Sequence, residues 1–271
     1  MPIAEWKQED RKNIIGVFTD IDDTLTTNGQ VPADAFHAME RLQQAGFLVV
    51  PVTGRPAGWC DMIARTWPVN AVIGENGAFA FRFNPTEKKM QRFYQDTTEV
   101  RARNMRRLKL ILNDVLNQVS SARLSADQTY RETDLAIDIA EDTKPLSAGL
   151  IDKIVSIFQH HNATVKVSSI HVNGWFGNYS KLSMTHQMMS KFFKINLNSF
   201  STQYTFIGDS PNDSQMFSYF SNAIGVANLQ NLASRCEALP TWITSQPRTA
   251  GFIEVTELLL KAKGITKRKT Y

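Results

Sequence analysis

Residues 13–19 (NIIGVFT) form a short apolar run rich in β-branched side chains, and it ends abruptly at Asp20, Asp22 and Asp23. A run this short and this continuously apolar predicts a strand buried on both faces, as in a parallel sheet. Carboxylates at i and i+2 just beyond such a strand are not a core feature, because unpaired buried charge is costly. The same style of run recurs at residues 47–52, 71–73, 204–208, 223–226 and 242–244. Helical patterns separate the first of these runs. Residues 32–45 carry Ala35, Met39 and Leu42 on one face, with Gly46 placed to cap the end, and residues 59–66 suit a second helix. Strand, helix, strand, helix, strand predicts right-handed parallel crossovers.

The pattern changes after Phe83. Asn84-Pro85-Thr86 reads as a boundary, residues 99–119 as a long helix, and residues 135–139 as a half-buried antiparallel strand. A helix over 146–159 and a strand over 163–172 complete a separate α+β unit. The expected fold class is therefore α/β. A three-layer, Rossmann-like parallel-sheet core spans 1–83 and 179–271, interrupted by an inserted α+β cap at 84–178. There is no internal repeat and no low-complexity segment.

A pI near 9.0 raises the question of nucleic acid, so its origin matters. No acidic residue follows Glu257, whereas Lys261, Lys263, Lys267, Arg268 and Lys269 do; removing these five from a net charge of +4 leaves −1. The basicity then sits in a C-terminal tail expected to fray, not on a face of the folded body, which argues against nucleic acid as a partner. No apolar run approaches the roughly 20 residues of a membrane span. The polar start, residues 1–11, shows no secretory pattern. Cys60 and Cys236 lie far apart without metal-ligand spacing, and read as reduced, buried thiols of a cytoplasmic protein.

Catalytic groups of an open parallel sheet sit in loops beyond the carboxyl ends of its strands. Four such loops here carry suitable chemistry. The first is Asp20-Ile21-Asp22-Asp23-Thr24, and the second is Thr53-Gly54-Arg55, whose hydroxyl and freed amides suit a phosphate oxygen. The third is Lys181, ahead of an amphipathic helix, which sets an ammonium beside a helix N-terminus. The fourth is Gly208-Asp209-Ser210-Pro211-Asn212-Asp213. Asp20, Asp209 and Asp213 together supply the hard oxygen ligands that Mg²⁺ takes. Helix capping would account for one such aspartate, not for three at strand ends, although Asp213 also stands where it could cap the helix that follows.

The order DxDxT, T-G-R, lone Lys, GDxxND resembles that of the haloacid dehalogenase-like phosphatases. Glu75-Asn76-Gly77-Ala78 resembles the ENGA segment of the Cof-type branch, and Thr244-Ser245 with Gly251-Phe252 its closing segment. That branch, which includes sucrose-phosphate and trehalose-phosphate phosphatases and phosphomannomutases, carries its cap between the second and third motifs.

The resemblance implies a Mg²⁺-dependent phosphatase acting on a small phosphorylated molecule, a sugar phosphate being favoured, through an aspartyl-phosphate. Asp20 would be the nucleophile and Asp22 the acid and base, with Thr53, Gly54, Lys181 and Asn212 holding the phosphoryl group. Asp20, the backbone carbonyl of Asp22, Asp209 and Asp213 (directly or through water) would hold the metal. One departure is Asp23, where the branch commonly has glycine. A phosphohexomutase of the same branch is the first alternative, and a non-catalytic binder of a phosphorylated ligand the second. The complete acid/base set counts against the binder.

Within the cap, His171, Asn173 and Trp175 precede Lys181 and could face a sugar ring; a hinge packed around Trp175 explains the same stretch. Arg103, Arg106 and Arg107 form a stripe expected to be a solvated helix face. His160-His161 reads as a helix end.

Overall fold

The computed structural model describes residues 1–265. In chain order its main elements are α1 (Gln8–Asn13), β1 (Gly16–Thr19), α2 (Ala33–Gln44), β2 (Leu48–Pro51), α3 (Ala57–Thr66), β3 (Val72–Gly74), β4 (Phe79–Asn84) and β5 (Lys89–Tyr94). Then follow α4 (Thr98–Gln118), β6 (Arg123–Leu124), β7 (Asp134–Asp138), α5 (Ala148–His160), β8 (Thr164–Val167) and β9 (His171–Trp175). The chain closes with α6 (Lys181–Met188), α7 (Leu197–Phe200), β10 (Tyr204–Gly208), α8 (Ser214–Tyr219), β11 (Ile224–Gly225), β12 (Trp242–Ile243) and α9 (Arg248–Ala262).

The main sheet is fully parallel, in the order β12-β11-β10-β1-β2. Its strands are buried on both faces for the reason their composition predicts. Val17 and Val49 point into one apolar cluster with α2 and α9, while Phe18 and Val50 point into the other with α6 and α8. That arrangement is the expected three-layer α/β architecture. Gly46 does end α2: its N–H donates to the Gln43 carbonyl and the Phe47 N–H to that of Leu42, closing the two bonds of a Schellman motif.

Residues 72–94 depart from expectation. β3 touches the main sheet only through a parallel bridge from Ile73 to Val52, and otherwise forms a three-stranded antiparallel sheet with β4 and β5. Asn84-Pro85-Thr86 is the turn of the β4–β5 hairpin. Phe93, Met90 and Tyr94 of β5 pack back on the clusters of the main sheet.

A separate four-stranded antiparallel sheet, β6-β7-β9-β8, carries α4 and α5 on one face over its own apolar cluster, which includes Leu108, Ile111, Leu135, Ile137, Phe158 and Val172. The strand expected over 163–172 is in fact two, β8 and β9, joined by a turn at Ser168–Ser169. β7 is buried along its whole length, not half-buried, because its second face is covered as well. On that face Asp134, Ala136 and Asp138 lie opposite Trp175, Asn173 and His171 of β9.

Among the described residues no helix is long and apolar enough to cross a membrane. Two readings need correction. Lys261 belongs to α9 and Lys263 follows it, donating Nζ to the Lys12 carbonyl at 2.7 Å, so these two bases are not in a frayed tail. Lys267, Arg268 and Lys269 lie outside the described residues. Cys60 is buried, but Cys236 is only partly so; both are free thiols.

Candidate active site

β1 lies between β2 and β10, so the loops that leave the carboxyl ends of these strands open side by side. Asp20 follows β1, its N–H donating to the Ile207 carbonyl at 2.8 Å, and Asp209 follows β10. One carboxylate oxygen each of Asp20, Asp209 and Asp213 lies within 4.8 Å of the others, and all three residues are buried. Lys181, at the start of α6, places Nζ 2.7 Å from Oδ1 of Asp20 and 2.7 Å from Oδ1 of Asp213. Asp213 spends its other oxygen on the N–H groups of Asp209 and Ser210 at 3.1 and 3.3 Å, so it organises the loop as well as the charge. Gly208 makes room for this: a Cβ there would sit 2.3 Å from Oδ2 of Asp213.

The electrostatics follow from three buried carboxylates facing one ammonium. Burial, with the charges of Asp213 and Asp22 adding to it and Lys181 opposing, pushes the Asp20 carboxyl up to about 7. Burial followed by Asp20 and Asp213 pushes Asp209 well above the carboxylate range. For Lys181, burial works against the charge, but Asp20 and Asp213 outweigh it and hold the ammonium above its ordinary value. Oδ1 of Asp209 is buried with no hydrogen-bond partner, and its other oxygen accepts from Asn228 at 3.2 Å. Excess buried negative charge with an unpaired hard oxygen is what a divalent cation relieves, so the donor set fits Mg²⁺.

Thr53 is fully buried beyond β2, and its hydroxyl accepts the Arg55 N–H at 3.0 Å. The Gly54 carbonyl accepts from Arg131 at 2.8 Å. Asn212 bonds Ser210 and, at 3.5 Å, Asn76, not Lys181. Asp23 adopts φ 55°, the left-handed region that glycine enters freely and Asp tolerates.

The turn Glu75-Asn76-Gly77 is wedged among these loops. The Asn76 N–H donates to the Thr53 carbonyl at 3.1 Å, and Gly77 (φ 105°) packs so tightly that a Cβ would lie 2.1 Å from the Ser180 carbonyl oxygen. Glu75, fully buried, accepts from the Ala57 N–H at the start of α3 and, from the four-stranded unit, from the N–H groups of Glu132 and Thr133.

Asp22 points elsewhere than the acidic cluster. Arg55 donates Nε to both its oxygens at 3.0 Å and Nη2 to Oδ1 at 2.7 Å. Nη2 of the same guanidinium lies 2.6 Å from Glu141 and Nη1 3.5 Å from Asp127, both on the four-stranded unit. Beyond them Arg131, fully buried, pairs with Asp127 at 2.8 Å and Asp134 at 3.0 Å. Sequence reading missed this network. Only the T-G-R loop hinted at it, since Glu141, Asp127 and Arg131 look like surface charges until the fold brings them together.

His171 belongs to the network, with Nε2 2.8 Å from Glu141 and 3.1 Å from Ser125. Asn173 donates to Asp134 at 2.9 Å. Trp175 is 2% exposed and stacked on Tyr179 at 5.6 Å within the apolar cluster of the main sheet, so it offers no free ring face here. In the arginine stripe Arg103, Arg106 and Arg107 are all exposed, and Arg107 lies over the Phe176 ring at 3.4 Å. His160 and His161 do end α5, with His161 bonded to Asp114.

Residues 17–105 match the family model of haloacid dehalogenase-like hydrolases. That segment holds the loops that follow β1 and β2. Over that segment the chain is similar to haloacid dehalogenase-like hydrolases. Solved structures of similar fold cover nearly all of it. Sucrose-phosphatase from Synechocystis sp. PCC6803, solved with sucrose and phosphate, is 13% identical with a TM-score of 0.62, covering 90% of this chain and 97% of that one. A haloacid dehalogenase-like hydrolase from Bacteroides thetaiotaomicron is 15% identical with a TM-score of 0.59, covering 90% and 98%. A trehalose-6-phosphate phosphatase related protein is 14% identical with a TM-score of 0.58, covering 92% and 97%. At such identities these structures speak to the fold of this chain alone. No curated protein matches the sequence.

Proposed function

We propose that this chain is a Mg²⁺-dependent phosphatase of a small phosphomonoester, a sugar phosphate being the favoured class, working in the cytoplasm through a phosphorylated Asp20. The observation that carries the proposal is the buried cluster of Asp20, Asp209 and Asp213 around Lys181 at the carboxyl ends of β1 and β10. The likeness to sucrose-phosphatase and to a trehalose-6-phosphate phosphatase related protein supports the substrate class.

In this reading Lys181 steadies Oδ1 of Asp20, and the other oxygen attacks phosphorus in line with the leaving alcohol. The P–O bond to the alcohol breaks as the new one forms, and Asp22 gives the departing oxygen its proton. Asp22 then takes a proton from water, whose oxygen attacks the aspartyl-phosphate and restores the Asp20 carboxylate. Lys181, the Thr53 hydroxyl and the amides around Gly54 offset charge on the transferring phosphoryl oxygens. Asp20, Asp209 and the Asp22 carbonyl would hold Mg²⁺. Asp213, with both oxygens already engaged, would act through water. The ion supplies positive charge that lets an anionic ester approach an anionic nucleophile. The four-stranded unit is proposed to act as the cap that reads the leaving group.

A panel of sugar phosphates assayed with Mg²⁺ and with excess EDTA tests the proposal. Metal-dependent release of inorganic phosphate from at least one ester is expected. Turnover that persists in EDTA would defeat the metal assignment, and return of an isomeric phosphate ester in place of inorganic phosphate would replace the phosphatase by a mutase.

A further inference from the structure

Every hydrogen bond to the Asp22 carboxylate among the described residues comes from Arg55. Arg55 is 4% exposed, closed off on one face by the Trp59 ring at 4.5 Å, so its guanidinium has little freedom to seek other partners. What it does have is a second strong acceptor. Glu141 reaches across from the loop after β7 and takes the same Nη2 that Asp22 takes, at 2.6 Å against 2.7 Å.

Glu141 is itself aimed. Asp138, the last residue of β7, accepts the N–H groups of Ala140, Glu141 and Asp142 at 3.0, 2.8 and 2.9 Å, which fixes the loop. The second Glu141 oxygen takes His171 Nε2 at 2.8 Å. The Ser125 hydroxyl donates its proton to Asp127 at 2.7 Å and so can only accept from His171, which orients the ring toward Glu141. A planar guanidinium shared between two carboxylates transmits direction: moving one acceptor rotates the fork against the other.

We infer that Glu141 is a positioning residue for Asp22, acting through Arg55, so that the four-stranded unit sets where the proposed acid/base points. The inference rests on the phosphatase reading above. With Glu141 in place, Arg55 divides itself and leaves Asp22 able to turn toward the leaving-group oxygen. Without that charge the fork closes on Asp22 alone and holds it back. The step that suffers is proton donation, so the effect depends on the leaving group.

The test compares Glu141→Gln with wild type on p-nitrophenyl phosphate, whose phenolate leaves without a proton, and on glycerol 3-phosphate, whose alkoxide does not. The expected kcat loss is at least about 10-fold on the alkyl ester and under about 3-fold on the aryl ester, with KM unchanged for both. In an Arg55→Lys background, which keeps the charge but loses the fork, adding Glu141→Gln should change nothing further. Three kinetic outcomes overturn the inference: equal losses on both esters, a change in KM alone, or a full Glu141→Gln effect persisting beside Arg55→Lys. A crystal structure of Glu141→Gln gives a readout independent of turnover. It should show Asp22 displaced with Arg55 wholly upon it. An unmoved Asp22 and Arg55 would sink the inference even if the phosphatase reading stood, whereas wild-type enzyme inactive on every ester would sink that reading and the inference with it.

Discussion

Glu75 and Thr133 lie far apart in the sequence, yet the buried Glu75 carboxylate accepts both the N–H and the hydroxyl of Thr133, together with the N–H groups of Glu132 and Ala57. One side chain thus satisfies the start of α3 and anchors the four-stranded unit. Glu75→Ala should strand these four donors, three of them buried, and destabilise the protein by about 3–5 kcal/mol, each orphaned buried group costing about 1–3 kcal/mol. Glu75→Gln, which keeps the shape and one acceptor, should cost visibly less. Thermal melts of both variants check this; equal, small losses would mean that the anchor is not structural.

A second expectation concerns acid. Burial raises the Glu141 carboxyl, but the His171 hydrogen bond and the Arg55 charge outweigh it and hold it at about 2, against an ordinary 4.5. A carboxylate with a depressed folded value adds stability fully above its unfolded value and loses it as pH falls through the folded one. The stability gap between wild type and Glu141→Gln should therefore be constant above about pH 5 and shrink between 4.5 and about 2. A gap that does not vary with pH would contradict the ion pair.

Gly208→Ala tests the loop after β10. Its Cβ would lie 2.3 Å from Oδ2 of Asp213, so that carboxylate must leave the amides of Asp209 and Ser210. A loss of kcat of about 100-fold or more is expected while the melt moves by only a few degrees. Near wild-type activity would show that Asp213 does not organise the site.

Metal binding has a readout besides turnover. Because Asp20 and Asp209 repel each other in a buried site, millimolar Mg²⁺ should raise Tm, by mass action on the folded state. Asp209→Asn should remove most of that shift and, by relieving repulsion, leave the metal-free variant at least as stable as metal-free wild type. A Mg²⁺ shift untouched by Asp209→Asn would place the ion elsewhere.

How much of this was legible in the sequence differs from residue to residue. Asp20, Thr53 and Asp209 could be read because each ends a buried, β-branched run, a one-dimensional signal that survives without tertiary context. Lys181 was legible only through the order of motifs. The β4–β5 hairpin is hard to read in the sequence, though Phe79, Phe81 and Phe83 alternate, because its turn at Asn84-Pro85-Thr86 has the composition of a boundary as well. Arg55, Glu141 and Arg131 were invisible as a group, since an ion network between units has no spacing in the chain. For Trp175 the sequence leaves two readings open, sugar contact and a packed hinge, and the ring stacked on Tyr179 fits the second.

The central claim is that Asp20 is phosphorylated during turnover. Mixing enzyme, Mg²⁺ and a ³²P-labelled ester that it turns over, followed by acid quench, measures this directly. Protein-bound label that hydroxylamine releases is expected, absent in Asp20→Asn, with that variant retaining under about a hundredth of wild-type kcat. Rapid turnover without bound label, or label and activity that survive in Asp20→Asn, would contradict it.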